Sequence, residues 1–205
     1  MKRAFYVVIM LAITLSGCGP EDDAPEPSPG VSWELARHRA RKISDVRYDL
    51  AFSIPEALDH PIRGQETIRF HLSEPGQPLV VDFNQPADKV LGVRAGEDSV
   101  AYEVIDGHVV VPAAALHEGE NVLSIDFIAG EGSLNRNPEF LYTLFVPDRA
   151  RFAFPCFDQP NLKARYRLTL RVPEGWNAVA NGALLRREAT TTGATYHFAE
   201  TKPLS

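Results

Sequence analysis

Apolar residues recur at every second position over much of the chain beyond residue 45. Val46, Tyr48, Leu50, Phe52 and Ile54 alternate with mostly polar neighbours, and Ile68, Phe70 and Leu72 repeat the pattern. A period of two places successive side chains on opposite faces of an extended chain, so each run predicts a half-buried strand and not a helix face. Apolar runs at 79–83, 90–93, 100–104, 109–111 and 122–127 follow at short intervals. Asp106-Gly107, between two of them, is a hairpin signal: the turn needs positive φ, which Gly adopts freely and Asp tolerates. The clearest alternation sets Tyr166, Leu168, Leu170 and Val172 against Arg165, Arg167, Thr169 and Arg171. Runs at 178–180 and 195–199 complete the set, beside turn signals at Asn181-Gly182 and Thr192-Gly193. Many short strands spaced roughly 8 to 12 residues apart, with no long helical pattern, predict an all-β fold, an antiparallel sandwich.

Two stretches depart from this pattern. From Trp33 to Lys42 the spacing permits a short helix capped by Ser32, and Arg37, Arg39, Arg41 and Lys42 predict a basic, solvated face or an irregular lead-in. Between residues 130 and 160 the alternation breaks. Asn135, Asn137, Pro138, Pro147, Pro155 and Pro160 there predict a long ordered connection carrying aromatic residues, a kind of segment that often serves function.

The first residues have a different logic. Met1-Lys2-Arg3 is a short positive start, followed by an apolar run that ends at Leu15. A bilayer-spanning helix needs about 20 apolar residues, so this shorter run predicts a cleaved export signal over residues 1–17. Leu15-Ser16-Gly17-Cys18 is similar to the lipobox of bacterial lipoproteins, in which cleavage falls between the positions of Gly17 and Cys18 and the cysteine is acylated. The competing reading is an ordinary secretory signal with an accidental cysteine. The resemblance implies attachment to a membrane through lipid on Cys18. Gly19 after the cysteine implies sorting to the outer membrane, facing the periplasm or the surface. Residues 18–31 carry Glu21, Asp22, Asp23 and Glu26 among Pro20, Pro25, Pro27 and Pro29. This acidic, proline-rich composition predicts a disordered tether to a domain at 32–205.

Composition narrows the chemistry. A chain of 205 residues with net charge −6, more acidic still without Lys2 and Arg3, suits one exported domain and excludes a nucleic-acid partner. With Cys18 acylated, Cys156 has no partner for an internal disulfide and is expected as a buried thiol. A zinc hydrolase needs two histidines one helical turn apart with a glutamate between them, so that two nitrogens reach the metal and a carboxylate activates its water. His117-Glu118 comes nearest, but Asn121 stands where the second ligand is required and the stretch reads as a turn. Cys156 has only apolar neighbours in Phe154, Pro155 and Phe157, and no base beside it to make it a nucleophile. Neither a phosphate-binding glycine loop nor a Gly-x-Ser-x-Gly elbow occurs. Asp158 with Arg149 or Arg151 reads as loop structure. No catalytic or metal-ligating residue is therefore expected in this chain.

One segment carries a specific resemblance. Phe154-Pro155-Cys156-Phe157-Asp158-Gln159-Pro160, preceded by Arg151 and followed by Lys163-Ala164 and the Tyr166 strand, resembles the aminopeptidase N family of zinc metallo-aminopeptidases. Gln159 replaces the family's usual glutamate. The resemblance implies a saddle-like β-sandwich, shaping one side of a peptide cleft, with Arg151, Phe154, Pro155, Cys156, Phe157, Asp158 and Pro160 as structural residues of the motif. It also implies a catalytic domain as partner, with its zinc, the His-Glu-x-x-His motif and the Gly-x-Met-Glu-Asn loop all beyond Ser205, and peptide substrate met only indirectly. Where the family places a glutamate or glutamine toward the substrate amine, this chain has Leu144 and Val146, expected as cleft-wall or packing residues. The resemblance thus implies the non-catalytic front domain of a lipid-anchored aminopeptidase that removes N-terminal residues from peptides. The rival expectation is a stand-alone β-sandwich lipoprotein that binds a peptide or protein partner.

Overall fold

Helix α1, Trp33–Lys42, begins where Ser32 holds an extended backbone and its hydroxyl accepts the Leu35 N–H at 3.1 Å. The computed structural model describes residues 24–205, so Gly17 and Cys18 lie outside the described residues. The predicted basic face is solvated only in part: Arg37 and Arg41 are exposed, but Arg39 is 1% exposed and Lys42 9%. Among the described residues no helix is long and apolar enough to cross a membrane.

The chain runs from α1 into β1 (Ile43–Ser53), then β2 (Arg63–Leu72), β3 (Leu79–Asp82), β4 (Val90–Ala95), β5 (Asp98–Ser99), β6 (Glu103–Ile105) and β7 (His108–Val111). The long β8 (Gly119–Ile128), the short pair β9 (Leu134–Arg136) and β10 (Leu141–Thr143), and finally β11 (Arg165–Pro173), β12 (Leu184–Thr190) and β13 (Gly193–Phe198) complete it. Eight strands form one sheet in the order β12-β13-β11-β1-β2-β8-β4-β5, and β3-β7-β6 form a second. The predicted all-β sandwich is present. Its pairing is antiparallel except between β1 and β11, which run parallel with Leu50 opposite Leu168 and Phe52 opposite Leu170.

Alternation becomes burial along β2 and β8, where Ile68, Phe70, Leu123, Ile125 and Phe127 are at most 1% exposed. Leu79, Val81, Val109 and Val111 of the small sheet belong to the same core. Gly64 faces Phe127 across the β2–β8 ladder, and a Cβ there would lie 2.2 Å from the ring, so only glycine admits the aromatic. Asp106 and Gly107 make the β6–β7 turn with φ of 50° and 82°. Residues 178–180 form no strand. Ala178 and Ala180 lie against the end of the large sheet near Val172 and Phe198, while Val179 between them is 92% exposed, so the alanines cover the sheet and do not pair with it. The 100–104 run forms a strand only from Glu103 onward, and β12, beginning Leu184-Leu185, shows no apolar alternation, all seven of its residues being exposed.

Candidate functional site

The motif segment returns from the β9–β10 pair and passes beneath the small sheet. Cys156 bridges Asp82 through two backbone hydrogen bonds of 2.8 and 2.9 Å, which extends β3 by one irregular partner. Phe154 meets Tyr48, Phe52 and Phe145 edge to face, and Phe157 meets Phe70 in the same way. The Phe157 N–H donates to the Tyr48 hydroxyl at 2.9 Å. Pro155 is buried between them and Pro160 is exposed. Arg151 donates to Asp158 both from its backbone, at 3.1 Å, and from its guanidinium, at 3.3 Å, closing the loop that carries the motif. Burial pushes the Cys156 thiol well above its ordinary pKa, helped by the charges of Asp158 and Asp82, and leaves it without thiolate character.

A polar centre that the sequence gave no sign of lies above this segment. Arg39 of α1 grips the Asp82 carboxylate with two nitrogens, at 2.5 and 2.8 Å, and also donates to the Val80 carbonyl at 2.7 Å. The second partner of Asp82 is His108, whose Nδ1 is 2.9 Å away, and the third is the Asp158 N–H at 2.8 Å. Burial alone would raise the Asp82 carboxyl, but the Arg39 charge and these hydrogen bonds outweigh it and hold the pKa below the usual range. Gln159 completes the link: its amide donates to the Ala36 carbonyl at 2.9 Å, which a carboxylate cannot do.

The main concavity is an apolar groove of about 680 Å³. Its floor is Leu50 and Phe52 of β1, Ile54 just after that strand, and Leu168 and Leu170 of β11, and its inner end is Phe154 and Phe157. One wall comes from β10 and the turn after it, including Tyr142 and Val146; the opposite wall is the 176–182 stretch. Arg136 fixes the first wall by donating to the carbonyls of Pro55, Ala57, Leu58 and His60 at 2.7–3.3 Å. Val146 stands on the rim, 74% exposed, and Leu144 is 52% exposed without lining the groove, so neither side chain packs into the core. Leu204 and Ser205 lie at the groove's edge, where Leu204 pairs with Ala164.

The residues present do not fit zinc. Among the described residues no three His, Cys, Asp or Glu side chains are grouped to hold a metal. Asn121, at the position a second histidine would need, closes a turn instead, accepting the His117 N–H at 3.0 Å and donating to the His117 and Gly119 carbonyls.

Residues 132–205, which hold the motif segment and both groove walls, match the Peptidase M1 N-terminal domain. The chain is similar to the N-terminal domain of M1 aminopeptidases. Aminopeptidase N of Streptomyces lividans is 30% identical over 168 residues, covering 76% of this chain and 19% of that protein. Leucyl aminopeptidase of Saccharolobus solfataricus is 38% identical over 63 residues, 31% of this chain and 8% of the relative. The fold matches the crystal structure of an M1 zinc metallopeptidase from Deinococcus radiodurans with a TM-score of 0.66 at 21% identity, over 80% of this chain and 40% of that one. The chain thus spans about a fifth or less of the curated relatives named here.

The M1-like motif holds α1, the small sheet and the large sheet together: Gln159 and Asp158 reach the helix and Asp82, while Phe154 and Phe157 enter the core. Its signal in sequence was the order of residues; its work in space is that of a joint.

Proposed function

We propose that this chain serves as the non-catalytic N-terminal β domain of a lipid-anchored zinc aminopeptidase that removes N-terminal residues from peptides. The observation that carries this reading is the apolar groove beside the M1-like motif, with its floor on β1 and β11. Apolar surface of this extent on one face favours a packing partner. The catalytic domain, with its zinc, supplies that partner. In this arrangement the rim around Val146 shapes one side of the peptide cleft and the chemistry belongs to residues outside this chain. Lipid on Cys18 holds the assembly to the outer membrane.

Two measurements test the proposal. This chain, assayed on chromogenic aminoacyl substrates with and without added zinc, is expected to give no turnover; zinc-dependent hydrolysis would overturn its non-catalytic role. For the anchor, growth with labelled fatty acid is expected to mark the wild type and leave Cys18→Ala unmarked and out of the membrane fraction. Equal label in both would remove Cys18 as the attachment point.

The same groove supports a second reading, a stand-alone lipoprotein that binds an extended peptide or a partner protein. It predicts saturable peptide binding by this chain alone, lost in Leu170→Glu. The first reading predicts none.

A further inference from the structure

We propose that His108 is a proton-operated latch, holding the proline-rich segment before α1 against the sandwich when its ring is charged and releasing that segment when the ring is neutral. Both ring nitrogens face acceptors. Nδ1 lies 2.9 Å from Asp82 Oδ1, and Nε2 lies 2.9 Å from the backbone carbonyl of Ser28, 80 residues earlier in the chain. A carbonyl never donates. The Asp82 carboxylate has no proton to give, because Arg39 and the Asp158 N–H already donate to it. Both contacts therefore require a ring with two N–H groups, which is the imidazolium.

Loss of one proton affects the two contacts unequally. The surviving N–H stays on Nδ1, since an ionised carboxylate is the stronger acceptor. The lone pair of Nε2 then confronts the Ser28 oxygen, and an attraction becomes a repulsion. The charged groups set around the ring are Asp82 of β3 and Arg39 of α1, with Asp158 of the motif segment hydrogen-bonded to Asp82 from the far side. Burial disfavours the charged ring, but the bonds to Asp82 and to Ser28 and the Asp82 charge outweigh it and raise its pKa above the ordinary 6.5. The latch thus closes below about that pH and opens as the pH rises through the raised value.

The segment suits a single fastening. Pro25, Pro27 and Pro29 lack N–H donors, so carbonyl oxygens are much of what its backbone offers. Glu26, Ser28 and Pro29 are exposed, while Ala24 borders a small cavity with Leu35, Leu79 and Leu116. Prolines also restrict the free segment, so docking it costs little conformational entropy and one strong hydrogen bond can decide its position. If Cys18 carries lipid, as proposed above, opening the latch adds residues 24–31 to the tether and on the order of 25 Å to its reach.

The full mature chain, ¹⁵N-labelled in detergent micelles, tests this by NMR between about pH 5 and 9. Both His108 nitrogens are expected at imidazolium shifts at the acid end. The Ser28 and Gly30 amides are expected to lose order with the same midpoint as His108, above 6.5. A ring that is neutral at pH 6, or segment amides that pass the His108 midpoint unchanged, would overturn the latch. His108→Gln is expected to abolish the transition in the segment. Should that variant not fold, Pro27→Gly with Pro29→Gly loosens the free segment, and reciprocal coupling requires a lower His108 midpoint; an unchanged midpoint would count against the proposal. None of these readouts depends on the lipid, so their failure leaves the anchor standing.

Discussion

Around β2 and β8 the large sheet is roofed by the β3-β7-β6 sheet, and its inward side chains are sealed. On β11 the corresponding Tyr166, Leu168 and Leu170 are only half-buried, and β12 beyond β13 is exposed along its whole length. One sheet therefore has a finished half and an open half. The strand pattern is equally regular in both, so alternation records which face of a strand is apolar, not whether anything covers it. The finished half supplies a core that supports the fold. The open half is where a partner adds most.

Substitutions can break this contrast. Phe127→Ala, in the finished half, is expected to cost about 3–5 kcal/mol in urea melts, through lost burial and the cavity beside Gly64. Arg39→Met should cost a similar amount, on the order of 3–5 kcal/mol, because it strands the Asp82 carboxylate under the small sheet. A loss below about 1 kcal/mol for either would show that the roofed half does not dominate stability.

Glu66 sharpens the comparison through pH. It is 3% exposed on the inward face of β2, and neither carboxyl oxygen has a hydrogen-bond partner. Burial raises its pKa well above 4.5. The folded state therefore holds a proton that the unfolded state has released, and stability falls as pH rises from that ordinary value through the raised one. Glu66→Leu is expected to gain on the order of 1–3 kcal/mol at neutral to alkaline pH relative to wild type. The difference should shrink toward pH 4, where both states of the wild type are protonated; a difference independent of pH would refute the assignment.

Smaller effects are expected in the open half. Leu168→Ala should cost about 1 kcal/mol, since its side chain is only partly removed from water. A cost like that of Phe127→Ala would mean that the groove is already sealed in solution.

Much of this arrangement was legible in the sequence, and the failures have physical causes. Ser32 announced α1, and Asp106-Gly107 announced the β6–β7 turn, because capping and positive φ are local requirements. Arg39 read as solvated because its partner Asp82 is 43 residues away and nothing local marks the pair. β12 was missed because all its residues are exposed and it meets β13 through its backbone and polar side chains such as Arg187, which donates to the Tyr196 hydroxyl at 3.0 Å. Residues 178–180 were read as a strand because apolar cover and apolar pairing leave the same trace. The motif at 154–160 was visible as a resemblance, but its role as a joint needed Asp82, Gln159 and Ala36 in one frame. Leu144 and Val146 were named from the same resemblance, and only Val146 reaches the groove.

The parallel pairing of β1 with β11 has a consequence for synthesis. Ser53 and Arg171, which meet across that pair, are 118 residues apart. While the chain emerges from its amino end, β1 can pair with β2 but keeps its other edge open until β11 has been made. Contacts so distant in sequence form slowly, and an open edge invites pairing with other chains. A chain of this design is best kept from assembling until β11 has been made.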